Sequence, residues 1–330
     1  MNELYPMKFK PRFKDKIWGG NRMKTILGMD YSPLPNCGEA WVLSGVPGSG
    51  TKITNGFLQG NELNELVEVY MEDLVGEAAF DRYGNEFPLL VKFIDSNDSL
   101  SIQVHPDDAL AARRGIGNGK SEMWYILEAE PGAEVISGFN RKTDAKTYLE
   151  FLEKNRLTEI LNKEKAHKGD VFYIPAGRVH ALGPGILLAE IQQTSDTTYR
   201  IYDWDRVDDK GKARELHQDL ALEAIDFTVP DSYRTTYRKV LNQTASLVDS
   251  PHFTTQILAF DKAIRKDYAA LDSFVIYVCV EGIIRVECGS SLESLKKGEV
   301  LLIPATAENI ILSPSKESKI LEVFIRETQI

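Results

Sequence analysis

The chain has no run of about 18 apolar residues, so no segment is long enough to cross a bilayer as a helix. Its opening stretch, MNELYPMKFKPRFKDKIWGG, holds no apolar core of the kind a secretory signal needs. Cysteine is scarce: Cys37, Cys279 and Cys288 are an odd number with no C-x-x-C pair. That excludes a disulfide framework and points to reduced thiols in a cytoplasm. Positive charge is in deficit, with 39 Lys and Arg against 49 Asp and Glu for a net charge of −10. A nucleic-acid or anionic-membrane surface would need a basic face, so neither partner is expected. A few local cations can still line a pocket for a small anion. The composition that remains, 43% hydrophobic and 27% charged over 330 residues, is that of a globular protein with material for two ordinary domains.

Short apolar runs separated by Gly and Pro dominate: Leu89–Ile94, Met123–Leu127, Val171–Ile174 and Ile186–Ile191. They have strand length and strand composition, and a β-sandwich or barrel is the natural architecture. Helical spacing interrupts this at Asn61–Tyr70, more strongly at Thr143–Asn162 with Thr143 as a cap, and at Ala213–Ile225. The chain also repeats itself. His167–Leu182 (HKGDVFYIPAGRVHAL) is echoed by Lys296–Ile311 (KKGEVLLIPATAENII), with Gly169/Gly298 and Pro175/Pro304 at a common offset of 129. The repeat predicts two β-domains, residues 1–238 with a helical insertion at about 143–162, and 239–330. At the same offset His180 becomes Asn309, so the second domain is expected to lack metal ligands.

Histidine is as scarce as cysteine, five in all, and two of them fall in a suggestive series. Gln103 and His105 are two apart, so on a strand they share a face. Glu122 follows, and Gly169 to His180 fits G-x5-P-x-G-x2-H, a strand, a tight turn, and a return strand whose first inward side chain is His180. Imidazole and carboxylate held on strands are the donors a divalent metal with an open position requires. A lone histidine would mean little, but the ordered set Gln103, His105, Glu122 and His180 points to a metal site. It resembles the two metal motifs of the cupin superfamily, whose small barrels aim ligands at the interior. Gln-x-His stands where many iron cupins carry His-x-His.

The strings around the series are more specific. Leu100-Ser-Ile-Gln-Val-His-Pro-Asp-Asp108, Cys37-Gly-Glu-Ala-Trp-Val-Leu-Ser44, Pro88-Leu-Leu-Val-Lys-Phe93, Gly119-Lys-Ser-Glu-Met-Trp124 and Gln193-Thr-Ser-Asp-Thr-Thr-Tyr-Arg200 closely resemble the type I phosphomannose isomerases. Tyr202-Asp-Trp-Asp-Arg206 and Ala213-Arg-Glu-Leu-His217 resemble the short bacterial form of that family. The resemblance covers nearly the whole chain. It implies a mainly β fold of two cupin, or jelly-roll, barrels. It also implies a zinc-dependent aldose–ketose isomerase interconverting D-mannose 6-phosphate and D-fructose 6-phosphate through a cis-enediol, as a cytoplasmic monomer or homodimer.

By the same resemblance His105, Glu122 and His180 match zinc ligands, with Gln103 a fourth, one ion per chain, other divalent metals being possible. Arg200 matches an active-site arginine, and Lys92, Ser101 and Lys120 match positions lining the substrate cleft. Glu190, between His180 and Arg200, is a polar cleft residue or a partner of a ligand. The residues themselves leave the general base open between a metal-bound water, a lysine and a carboxylate. They also leave two other classes in play, a metal-dependent cupin oxidoreductase and a non-catalytic sugar-phosphate-binding cupin. Trp18 and Trp41 read as packing residues, His217 as a capping or functional residue, and Asp203–Asp209 as a solvated loop.

Overall fold

The computed structural model describes residues 3–208 and 210–326. Asp209, the last residue of the expected loop, and the outer ends of the two predicted domains, residues 1–2 and 327–330, lie outside the described residues. The paired strands run antiparallel and form two pairs of facing sheets, apart from a small two-stranded ribbon. In the first pair a six-stranded sheet runs in the order 171–174, 122–129, 186–193, 89–96, 39–43, 12–14. Opposite it, a five-stranded sheet runs 199–202, 102–104, 180–182, 134–139, 161–165. The second pair, with five and four strands, uses residues 243–324 alone.

The two-residue period of a strand decides what faces what. In Ile186–Gln193, Ile186 and Leu188 point into the first barrel, with Glu190 on the same face. Leu187, Ala189 and Ile191 point outward into a core that also holds Phe274, Ile276, Leu302 and Leu321. Strand Glu122–Ala129 alternates in the same way, with Trp124 and Ile126 inward, and Met123, Tyr125 and Leu127 outward. These strands are therefore mostly apolar on both faces, and Glu190, on the face of Ile186 and Leu188, is a polar residue turned to the barrel interior.

The duplication is visible in the register. Trp124 pairs with Phe172 on one side and Glu190 on the other. Tyr277 pairs with Leu301 and Glu322 in the same way. Gly169 and Gly298 both adopt positive φ, 86° and 89°, a conformation glycine reaches without strain. Val275, which pairs with Ile303, stands where Glu122 pairs with Ile174, so the second copy lacks the carboxylate as well as the histidine.

The helices are shorter or shifted relative to their apolar spacing. The stretch expected at Asn61–Tyr70 is Leu63–Val75, broken at Met71, whose φ is 46°. The stretch expected at Thr143–Asn162 is helical only over Ala145–Glu153. Its cap is Asp144, which accepts from the Thr147 N–H at 2.8 Å, rather than Thr143. Asn155, at φ 55°, ends it. Leu157 to Glu159 then form a 3-10 turn, and Leu161 opens a strand. The apolar residues beyond Asn155 keep a helical period because the turn and strand bury the same face of the sheet. The stretch expected at Ala213–Ile225 is Gln218–Ala224, because Ala213 bridges to Val207 and His217 is bound to Arg200. No helix among the described residues is long and apolar enough to cross a membrane.

Candidate metal centre and substrate cleft

The strand parity brings His105, Glu122 and His180 together at one end of the first barrel, all buried, with ligand atoms within 4.8 Å of one another. His105 Nε2 is 3.4 Å from Glu122 Oε2, and His180 Nε2 is 3.3 Å from Glu122 Oε1. Donors about 2.1 Å from a common ion in a tetrahedral array stand about 3.4 Å apart, so the spacing suits one small divalent ion. Glu122 Oε1 has no hydrogen-bond donor, and Oε2 has the ion pair with Lys120 Nζ at 3.2 Å but no well-formed hydrogen bond, an under-satisfied state for a buried carboxylate that a bound metal ion would relieve. His180 Nδ1 is 2.8 Å from the Arg178 carbonyl, which fixes the tautomer that leaves Nε2 free to ligate.

Electrostatics agrees with ligation. Burial, reinforced by Lys120, drives the His105 imidazole down to about 3, so it is neutral. Burial also lowers His180, against the pull of Glu122. Burial would raise the Glu122 carboxyl, but the charge of Lys120 leads the influences that hold it well below the usual carboxylate range. Two neutral imidazoles and a carboxylate are the form in which these side chains bind zinc. Gln103 lies beside them, its Nε2 3.2 Å from His180 Nε2. As placed, it offers its NH2 edge, and ligation through oxygen would need the amide turned over.

Above the triad is a cleft of about 340 Å³, within the range of small-ligand sites. Lys92, Ser101, Gln103, Lys120, His180, Glu190 and Arg200 all line it. His105 and Glu122 lie just beneath, with Lys120 Nζ 3.1 Å from His105 Nε2 and 3.2 Å from Glu122 Oε2. Lys92 is on a central strand and buried, its Nζ 2.8 Å from Glu190 Oε1. Glu190 Oε2 accepts from the Trp124 indole at 2.7 Å. Burial and the Glu122 carboxylate push the Glu190 carboxyl up, while Lys92 pulls it back.

Among the described residues Arg200 is not paired with an aspartate. Asp203 is taken by Arg206 and Arg214, at 2.6 and 2.5 Å, and Asp205 accepts from Tyr202. The Arg200 guanidinium donates only to the Glu215 carbonyl, and its Nε is buried without a partner. His217 holds the Arg200 backbone at both ends: its N–H donates to the Arg200 carbonyl at 2.7 Å and its Nδ1 accepts from the Arg200 N–H at 3.2 Å.

The cleft has further walls that the sequence did not single out: Lys14, Lys16, Glu39, Asp196, Thr198 and Arg214, with Trp18 and Trp41 contributing as well as packing. Lys14 Nζ sits 3.2 Å over the Trp41 ring, and the Trp41 indole donates to Glu39. Six cationic side chains (Lys14, Lys16, Lys92, Lys120, Arg200, Arg214) thus face three carboxylates (Glu39, Asp196, Glu190), a local excess of positive charge in a chain of net charge −10. Such a pocket attracts a small anion.

Residues 7–155 match the family model of the phosphomannose isomerase type I catalytic domain. The mannose-6-phosphate isomerase of Streptococcus mutans is 34% identical over 92% of this chain and 94% of its own. The mannose-6-phosphate isomerase ManA of Bacillus subtilis is 35% identical over 91% of this chain and 93% of its own. The crystal structure of mannose 6-phosphate isomerase from Bacillus subtilis superposes with a TM-score of 0.86 at 31% identity, covering 96% of this chain and 99% of that one. Phosphomannose isomerase from Salmonella typhimurium, at 17% identity and a TM-score of 0.81, shares the fold.

Proposed function

The chain belongs to the type I phosphomannose isomerases, and on that premise we propose that it interconverts D-mannose 6-phosphate and D-fructose 6-phosphate at the cleft above His105, Glu122 and His180. The observation that carries the reading is the buried, donor-poor Glu122 between two neutral imidazoles on the floor of a cationic cleft. His105, Glu122 and His180 would hold one zinc ion, with Gln103 as a fourth ligand once its amide is turned. A divalent ion there supplies Lewis-acid polarisation of the sugar's carbonyl and hydroxyl oxygens.

The remaining work falls to the chain's own side chains. Isomerisation removes a proton from the carbon beside the carbonyl and returns it to the neighbouring carbon through a cis-enediol, so negative charge develops on the substrate oxygens. Arg200, permanently charged and in no ion pair with a carboxylate among the described residues, would stabilise that charge. The phosphate needs cations and a hydroxyl, for which Ser101, Lys92 and Lys120 are the candidates, joined by Lys14 and Lys16, which also line the cleft. Lys120 and Glu190 both have the acid–base capacity to take and return the proton. Trp18, Trp41 and Trp124 add apolar surface to the pocket wall.

Residues 1–238 would be the catalytic cupin and 239–330 a cupin-like module without ligands. The residues of this reading all come from one chain, so it serves a monomer and a homodimer equally. Cys37, Cys279 and Cys288 are unpaired, as in a reducing cytoplasm. The test is a coupled assay for fructose 6-phosphate before and after chelation. We expect activity that chelation removes and zinc restores. Arg200→Ala should lower kcat/KM roughly a hundredfold to a thousandfold. Binding of mannose 6-phosphate without turnover would make this a sugar-phosphate-binding protein instead. Bound iron with oxygen consumption would make it an oxidoreductase.

A further inference from the structure

Behind the triad, on the side away from the cleft, the segments that carry its three members are tied to one another by a closed run of hydrogen bonds. Asp108, three residues after His105, opens the helix Asp108–Arg114. Its Oδ1 accepts from the Gly119 N–H at 2.8 Å and from Gln193 Nε2 at 2.9 Å. Gln193 Oε1 in turn accepts from the Ser121 N–H at 2.8 Å, and Ser121 Oγ accepts from the Ala176 N–H at 3.1 Å. The backbone closes the circuit: Gly177 N–H donates to the His105 carbonyl at 2.9 Å, and Lys120 N–H to the Pro106 carbonyl at 3.0 Å. Asp108 reaches the His105 segment, Ser121 adjoins Glu122, and Ala176 lies on the turn that leads to His180.

We propose that Asp108, Gln193 and Ser121 are positioning residues that hold the His105, Glu122 and His180 segments in register as one metal-binding unit. The inference rests on the metal reading above. Each of the three ligands comes from a different segment, so no single strand can fix their separations. Their Nε2 and carboxylate atoms must nonetheless be set to within a few tenths of an ångström. Ser121 and Gln193 are buried at 3% and 2% exposure, where hydrogen bonds are not traded for water. Gly119 is required by the same arrangement. A Cβ there would lie 2.5 Å from Asp108 N and 2.6 Å from the Asp107 carbonyl carbon, both backbone atoms that cannot step aside.

The test compares Gln193→Glu and Ser121→Ala with Thr194→Val, each in the full chain. Gln193→Glu keeps the acceptor for Ser121 and turns the donor to Asp108 into a repelling oxygen. Ser121→Ala deletes the acceptor for Ala176, along with the hydroxyl's contact with Tyr173. Thr194 is equally buried and neighbours Gln193, but its hydroxyl donates to the Phe87 carbonyl, outside the circuit. Zinc affinity is read by competition with a chromophoric chelator, alongside the melting temperature of the metal-free protein. We expect both circuit variants to bind zinc about tenfold to a hundredfold more weakly. Thr194→Val should bind as the parent does, even where its metal-free melting temperature falls as far as theirs. The proposal is overturned if either circuit variant binds zinc within twofold of the parent, or if Thr194→Val weakens binding equally. A parent chain that takes up no divalent ion overturns the metal reading itself, a different result from either of these.

Discussion

Glu39 stands on the strand beside Lys92, in the register where Trp41 faces Lys92. Burial would raise its carboxyl, but Lys92, Lys16 and the Trp41 indole outweigh that and hold it down at about 2. A depressed carboxyl contributes its stability in full above its unfolded value, near 4.3, and loses it as pH falls towards the folded value. The gap in urea-unfolding stability between the metal-free parent and Glu39→Gln is therefore expected to be widest near about pH 7 and to close between about pH 4.5 and 2. An unchanged gap across that range would mean Glu39 is not held down by these cations. The contrast with Glu122 and Glu190 shows what a sequence discloses at this scale. Those two, and Lys92, are charged residues next to the apolar runs Leu89–Ile94, Met123–Leu127 and Ile186–Ile191 or within them, so they stand out in the sequence. Glu39, Lys14, Lys16 and Arg214 sit in segments of ordinary mixed composition. Glu39, Lys14 and Lys16 reach the cleft because strands 12–14 and 39–43 continue the sheet beyond 89–96, and Arg214 because the segment after strand 199–202 returns to Asp203; neither the pairing order nor that return is written in a single segment's pattern.

At the scale of elements, the short helix Gln218–Ala224 acts on the cleft through its first flanking residue. His217 caps that helix by position without a side-chain cap bond, because its imidazole is used on the Arg200 N–H instead. His217→Ala should leave the fold intact and lower kcat about fivefold, the effect of roughly 1 kcal/mol of hydrogen bonding lost behind Arg200. His217→Asn, whose Oδ1 can replace Nδ1 as acceptor, should recover most of it. Equal losses in both variants would assign the imidazole a role other than holding this backbone. Strand identities were legible because runs such as Val171–Ile174 are short, apolar and bounded by Gly and Pro. Helix extents were not. Leu157, Ile160 and Leu161 repeat at helical spacing while belonging to a 3-10 turn and a strand, and the left-handed Asn155 that separates them is one residue in a twenty-residue pattern.

For the whole molecule, the repeat at offset 129 made a duplicated β architecture legible, but not why the copy without ligands should be there. Its interior gives part of the answer. Glu322 occupies the register position of Glu190, yet Lys266 at 2.6 Å and Tyr268 at 2.5 Å satisfy it, and Tyr268 and Tyr277 belong to the core that fills the barrel. A barrel closed in this way has no evident use for a cleft, and its outer sheet face does the remaining work. Phe274, Ile276, Val278, Leu302, Leu321 and Val323 cover the outward residues of the six-stranded sheet, Leu89, Val91, Phe93, Met123 and Ile191 among them, in one continuous core. Met7 near the start of the chain exchanges two backbone hydrogen bonds with Leu302 across the same junction. These strands carry Lys92, Glu122 and Glu190 on their other face, so uncovering the outer face would release the site from behind. A chain cut after residue 238 would expose that apolar face to water, and surfaces of this kind drive association. We expect it to collect in aggregates on size-exclusion chromatography, without a cooperative melting transition and without metal-dependent stabilisation. Adding residues 239–330 as a separate polypeptide during refolding should restore all three. A soluble, cooperatively melting 1–238 fragment that still gains stability from zinc would show that the first barrel needs no cover.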